Sequence, residues 1–333
     1  MIEEAKILPL NAFLKIPKEV LCFWLPSQIL LAYAKEKPFS PEHIDARRGM
    51  ASGDNPRFYK LWWEVPANEI GREKTWSFLA NGGSPAPLYR QQVYVVNYRD
   101  DGKEVKQHVR QNYGSDSRTI VNQGYYYQSG LTFGKRTESF TVQYLPGNQV
   151  FSNEGQAIFT NSENENILAF LNSSLVAYLL NSVAGQHKEA GYINTLPSPP
   201  AIFLDSHEIK NNVVFCYNAI FCISCIIPES QNFISPFFYL SADSSTSISR
   251  IADKIISIEN DFSTKFIETD KFLERNMGFS TEDSLHWKHR SWSLIKILYG
   301  VENTDLSLII AVDLLGYFIG VIFCKMGCTI LEA

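Results

Sequence analysis

The sequence has no Gly-x-Gly, no phosphate-cradling Gly-x-x-x-x-Gly-Lys and no Gly-x-Ser-x-Gly. These absences exclude dinucleotide and S-adenosylmethionine loops of the first form, nucleotide-phosphate loops of the second, and a serine-nucleophile elbow. No two histidines have zincin spacing, and the six cysteines form no even framework. The lone Cys222-Ile-Ser-Cys225 lacks a second pair or a histidine at zinc spacing, so buried thiols are expected rather than a metal ligand set. His286 and His289, beside Trp287 and Arg290, read as a surface or interface patch.

Long apolar runs are also scarce. Leu308–Phe323 holds 16 residues with Asp313 near its middle, short of the roughly 18–20 a membrane helix needs. Gly316 and Gly320 make a Gly-x-x-x-Gly, but a buried helix accounts for the same residues. Met1–Lys6 is acidic and is followed by an amphipathic stretch rather than an apolar core, so no secretory leader is expected. The expected setting is a reduced cytoplasm with no membrane partner.

What is present is a chain of 333 residues, 45% apolar and 20% charged, which excludes a disordered protein. The net charge of −5 conceals a division. Residues 1–150 carry 19 Lys and Arg against 15 Asp and Glu, and the remaining residues carry 11 against 20. Within 47–136 the count is 14 basic to 8 acidic, and that segment is rich in aromatic residues with few leucines. Basic and aromatic residues interleaved in this way suit nucleic acid. Lysines and arginines such as Arg99, Lys103, Arg110 and Arg118 would neutralise phosphates, while Gln107, Gln111, Asn112, Asn122 and Gln123 could read base edges. The bland alternative is an ordinary mixed domain with an aromatic core.

Along the chain, residues 58–159 have β-like texture. Val93–Tyr98 reads as a strand, Asp101-Gly102 as a tight turn, and Glu104-Val105-Lys106 as the return strand of a hairpin. Glu165–Val183 has the period of an amphipathic helix, with Asn172-Ser173-Ser174 a brief interruption, and Gly185 ends it. Ile251–Phe272 and Trp292–Tyr299 are further helical stretches in an acidic region. Two decoys can be set aside. Glu104-Val105-Lys106 matches the Glu-x-Lys half of a magnesium nuclease motif, but the required aspartate is not on a preceding strand. Asp54-Asn55-Pro56-Arg57-Phe58 is faintly similar to Asn-Pro-Pro-Tyr but lacks the second proline, which is Arg57 here. No catalytic, cofactor or metal residue can be assigned.

The run Arg48-Gly49-Met50-Ala51-Ser52-Gly53-Asp54-Asn55-Pro56-Arg57-Phe58, followed by Leu61-Trp62-Trp63-Glu64-Val65, resembles a specific family junction. That junction, G-x-x-(T/S)-G-D-N-x-x-F…W-x-E-V, belongs to the PglX-type adenine-specific DNA methyltransferases of BREX phage-defence systems, related to fused type II restriction–modification enzymes. Tyr94–Tyr98 with Asp101–Lys106, Gly130–Gly134, Pro146–Phe159 and Leu168–Ser173 follow in the family's order, and Leu298–Glu302 with Tyr317 to Phe323 match more weakly. Cys324-Lys325-Met326 departs from the family's Gly-Arg-Trp.

The resemblance implies an α+β fold: a connecting segment over 1–46, a β-rich DNA target-recognition domain bounded by helices over 47–200, and a mainly helical, truncated region over 201–333. It implies double-stranded DNA as partner, contacted by Arg57, Lys60, Asn97, Lys106, Lys135 and Arg136. S-adenosylmethionine is expected for the full-length family enzyme, not in this chain, whose catalytic part would come from a separate methyltransferase chain. A split or frameshifted gene is the natural inference. The alternatives are a standalone specificity subunit and a non-functional remnant.

Overall fold

The computed structural model describes residues 11–14, 16, 20–137, 139–161, 163–225, 227, 248–299, 308–312 and 315. These fall into two compact units: those between Met1 and Val213 together with Thr269–Arg290, and those between Val214 and Glu268 together with Ser291–Ala333. The fold is mixed α+β, as expected.

The first unit holds two four-stranded sheets. Its strands are β1 (Ile44–Arg47), β2 (Tyr59–Leu61), β3 (Trp76–Ala80), β4 (Tyr94–Asn97), β5 (Gly130–Gly134), β6 (Val142–Leu145), β7 (Gln149–Phe151) and β8 (Gly155–Thr160). One sheet runs β1-β8-β5-β6, all antiparallel, and the other β2-β4-β3-β7, with β3 and β7 parallel. β5 is buried at every position, which suits its small and apolar Gly-Leu-Thr-Phe-Gly sequence. The helices that bear on the site and on the fold are α1 (Ser27–Lys35), α2 (Asn55–Phe58), α3 (Arg99–Tyr113), α4 (Asn164–Leu171), α5 (Ser174–Ala184), α6 (Ala190–Asn194), α7 (His207–Ser224), α8 (Ile248–Met277) and α9 (Leu294–Tyr299).

Two asparagines close the edges of the antiparallel sheet. Asn194, ending α6, accepts from the Ala46 amide on β1 at 2.8 Å and donates to its carbonyl at 3.0 Å. Asn172 does the same for Val142 on β6, at 3.0 and 2.9 Å. A side-chain amide used as a surrogate strand satisfies edge groups that would otherwise pair with another chain.

Asn172 also explains why the helix expected over Glu165–Val183 is in fact two. α4 stops so that the Asn172 side chain can reach β6, and Ser173 restarts the chain as the N-cap of α5, its Oγ accepting from the Val176 amide at 3.2 Å. The two helices are bent by 57°. Gly185 ends α5 as expected.

The hairpin expected over 92–107 is overturned at its second arm. β4 is a strand and a tight turn follows, but the return segment is helical: Glu104, Val105 and Lys106 lie on α3. Val105 and Val109 recur at helical spacing and are fully buried against sheet β2-β4-β3-β7, in a core with Phe58, Leu79, Val96 and Phe151.

Gly155, at the start of β8, lies where the sheets approach. A Cβ there would stand 2.5 Å from both the Ala80 carbonyl oxygen and the Gly82 amide nitrogen, neither of which can yield. Gly155→Ala is expected to cost about 1–3 kcal/mol by overpacking, read as a lower urea midpoint with unchanged slope.

The second unit is helical among the described residues, with Ile220, Ile223, Ala252, Ile255, Phe262 and Leu294 buried. Ile251–Phe272 lies within α8, and Trp292–Tyr299 contains α9. Among the described residues no single helix is long and apolar enough to cross a membrane. The α4–α5 pair passes on length and composition only, and most of its residues are buried in the protein. Most of Leu308–Phe323, together with Cys324 and Cys328, lies outside the described residues.

Candidate nucleic-acid interface

α3 begins with an unusual turn. Asp100, Asp101 and Gly102 all adopt left-handed conformations, with φ of 52°, 55° and 74°. Aspartate tolerates this better than most residues, and at the third position glycine is required, since a Cβ would meet the Tyr98 ring at 2.6 Å. The turn reverses the chain at the end of β4 so that the helix can lie back over the sheet. Gly114, left-handed with φ 78°, ends the helix.

With Gly102, Val105 and Val109 turned to the core, the opposite face is fixed by the helical period. Lys103, Gln107, Arg110 and Gln111, at steps of four, three and one, are all exposed. Arg110 donates to Asp116 at 2.9 Å, and this hydrogen bond holds the Asp116 carboxyl below its usual range. Lys103, Gln107 and Gln111 have no side-chain partner among the described residues.

Beside this face stands a cluster tied to Glu104. Its Oε1 accepts from Arg57 Nη2 at 2.7 Å, and its Oε2 from Asn97 Nδ2 at 3.1 Å. Arg57 also meets His108 Nδ1 at 3.4 Å. Arg57 reaches this position because Asp54 caps the short α2, accepting from the Arg57 amide, with Pro56 in its first turn. Thus Asp54–Phe58, the faint Asn-Pro-Pro-Tyr likeness, is a capped helical turn, and Glu104 is a partner of Arg57 and Asn97.

The six residues expected on DNA are divided. Arg57 and Asn97 share Glu104. Lys106 lies further along α3 with its Nζ 5.9 Å from the Tyr98 ring centre. Lys60 is half-buried on β2, an edge strand, opposite Val95. Lys135 and Arg136 follow β5 in the other sheet and are held by carboxylates: Lys135 by Glu189 at 2.8 Å, with its side chain only 13% exposed, and Arg136 by Glu154 at 3.4 Å. Of the proposed base readers, Asn122 is occupied by Arg47 and the Arg48 carbonyl, and Gln123 by the Ile120 carbonyl. Gln107, Gln111 and Asn112 all lie on α3. The stripe of Lys103, Gln107, Arg110 and Gln111 was hidden in the sequence by the hairpin reading. Among the described residues, no three His, Cys, Asp or Glu side chains are grouped to hold a metal ion.

Comparison with known proteins places this site in context. No protein-family model matches the chain. It is 26% identical over 174 residues to the adenine-specific methyltransferase PglX of Lacticaseibacillus casei (strain Zhang), an alignment covering 49% of this chain. It is 26% identical over 179 residues, 50% of this chain, to the adenine-specific methyltransferase BrxX of Escherichia coli O9:H4 (strain HS). Each alignment spans 14% of the relative's own length. Among solved structures, the type IIL restriction–modification enzyme MmeI in complex with DNA superposes with a TM-score of 0.45 and 12% identity, covering 83% of this chain and 37% of that one. The resemblance to PglX-type methyltransferases read from the junction and strand motifs is therefore found independently.

Proposed function

We propose that this chain is the sequence-recognition portion of an adenine-specific DNA methyltransferase of a phage-defence or restriction–modification system, acting in the cytoplasm. The observation that carries this is the exposed face of α3, where two cations and two amides stand at helical spacing on a rigid, core-anchored helix. An α-helix fits the major groove of B-DNA, where glutamine pairs bidentately with adenine and arginine with guanine, and lysines meet the flanking phosphates. Arg57 and Lys106, on either side of that face, extend the cationic track, with Asn97 next to Arg57, and Lys60 is a further phosphate contact. Lys135 and Arg136, which follow β5 in the other sheet rather than flanking α3, are the weaker members of the expected set. The methyl transfer itself, with S-adenosylmethionine as donor, is assigned to a methyltransferase catalytic domain acting together with this portion.

Glu104 restrains this surface, since it neutralises Arg57. Glu104→Gln is expected to raise duplex affinity a few-fold at low salt, measured by fluorescence anisotropy, while stability moves by about 0.5 kcal/mol or less because the pair is half-exposed. An unchanged or weakened affinity would show that Arg57 does not face DNA. The proposal as a whole is tested by titrating a pool of random duplexes and sequencing what is retained. A recovered consensus supports sequence recognition, whereas retention without consensus reduces the chain to a nonspecific binder.

A further inference from the structure

The last turn of α3 is met by two segments that the reading of its exposed face leaves unused. The first is the junction Arg48–Phe58. Its Gly53, left-handed with φ 73°, lies under the Tyr113 ring, since a Cβ there would stand 2.9 Å from it. The second is the loop after Gly114. Its Thr119 carbonyl accepts from the Ala51 amide at 2.7 Å, and its Arg118 carbonyl accepts from Arg48 Nη2 at 3.3 Å. Arg48 and Arg118, 70 positions apart in sequence, therefore issue from one point of the surface. That point lies at the end of α3 closed by Tyr113, whose side chain is left 60% exposed.

Neither arginine has a carboxylate partner among the described residues. This sets them apart from Arg47, Arg57, Arg110 and Arg136, which are held by Asp45, Glu104, Asp116 and Glu154. Both are exposed, yet the backbone that carries them is fixed. The Arg48 carbonyl accepts from Asn122 Nδ2 at 2.9 Å, and the Gly49 amide donates to the Ser152 carbonyl at 3.2 Å. Residue 49 must be glycine, because a Cβ would stand 1.9 Å from the Phe151 carbonyl oxygen. After Arg118, the amides of Thr119 and Ile120 donate to the Asp116 carbonyl at 3.1 and 2.8 Å. A cation on such a frame loses little beyond its own side-chain freedom when it meets an anion. Arg48 uses one N–H on the Arg118 carbonyl and keeps the rest of its fork for a phosphate. At the opposite end of α3 the exposed carboxylates of Asp100 and Asp101 oppose a phosphate. We propose that Arg48 and Arg118 clamp a backbone phosphate of duplex DNA at the C-terminal end of α3, and so position the helix whose Gln107 and Gln111 read bases. The inference rests on the reading of α3 and adds two positioning residues to it.

The test follows binding of the 333-residue chain to a pool of random duplexes by fluorescence anisotropy across a range of salt. Arg48→Gln and Arg118→Gln should each weaken binding about three- to tenfold at low salt and lower the salt slope by about one. A purely structural role would not move the slope. The thermal melt should match the parent's, since Arg48 gives up a single exposed hydrogen bond. Arg48→Lys, which keeps the charge and loses the fork, should keep the slope and recover part of the affinity. Lys254→Gln removes an exposed cation of the second unit and should leave both affinity and slope unchanged. Unchanged slopes in the two arginine variants, or an equal fall in Lys254→Gln, overturn the clamp. If Lys103→Glu/Arg110→Glu still weakens binding in that case, the reading of α3 stands without it. A loss confined to the Arg48 and Arg118 variants keeps the phosphate contact and moves base reading off α3.

Discussion

Arg290→Ala is expected to destabilise the first unit by about 3–4 kcal/mol, the largest stability loss predicted for a single residue here. The guanidinium donates to the Phe140 carbonyl at 2.6 Å and to the carbonyls of Asn172 and Ser173 at 2.5 and 3.2 Å. Those last two oxygens lie at the break between α4 and α5, where helix geometry supplies no partner. The Arg290 amide donates to Ser174 Oγ at 2.8 Å, and Ser174 in turn donates its hydroxyl and its amide to the buried carboxylate of Asp270, at 2.5 and 2.9 Å. Desolvation brings the guanidinium pKa down to about 10, so it remains a cation at neutral pH. Removing it leaves carbonyls unpaired and takes away the positive charge beside Asp270. Urea unfolding followed by circular dichroism checks this. Arg290→Lys, which keeps the charge but cannot fork to three carbonyls, should recover only part of the loss. A midpoint shift equivalent to less than about 1 kcal/mol in the alanine variant would show that the break is held by packing alone.

The double charge reversal Lys103→Glu/Arg110→Glu is expected to weaken duplex binding by about a hundredfold or more near 50 mM salt and to lower the salt slope by about two. Both residues are exposed on α3, so the thermal melt should stay close to the parent's even with the Arg110–Asp116 pair lost. Gln107→Ala separates affinity from choice. It removes no charge, and it should cost about 1–3 kcal/mol on the preferred sequence while leaving random duplex unaffected. The two variants together distinguish a helix that reads bases from a merely cationic surface. A double reversal that binds duplex as well as the parent would move the interface off α3.

Both the hairpin error and the site it concealed trace to one dipeptide. Asp101-Gly102 after a β-branched strand is a strong local hairpin signal. Yet Val105, Val109 and Tyr113 recur every four residues with Gln107 and Gln111 between them, whereas a half-buried strand would put apolar side chains at those alternate positions too. The turn was legible; its direction was not, because three left-handed residues in succession are selected by the packing of Tyr98 and the sheet rather than by local preference. The α4–α5 break is similar. Asn172-Ser173 is an ordinary capping pair, but what makes the break obligatory is the Asn172 contact with Val142, 30 residues away. The α+β class, the β-like texture of 58–159 with its strand at 94–97, and the helical stretch Ile251–Phe272 within α8 were legible from texture and period, although the other strands of that region were not individually placed. The division of the six expected contacts was not. Arg57 and Asn97 meet only through Glu104, and Lys135 is engaged by Glu189, 54 positions away in sequence. Residue type announces a cation; only the tertiary fold says whether a carboxylate already holds it.

The most direct test of the central claim is binding of the unaltered chain to duplex DNA as a function of salt. If α3 and its flanking cations face the backbone, log affinity falls linearly with log salt, with a slope of about −3 to −5 for the four or five cations involved. The affinity at low salt should also exceed by more than a hundredfold that of an acidic control protein of similar net charge. A flat salt dependence, or an affinity no better than the control, would contradict the account.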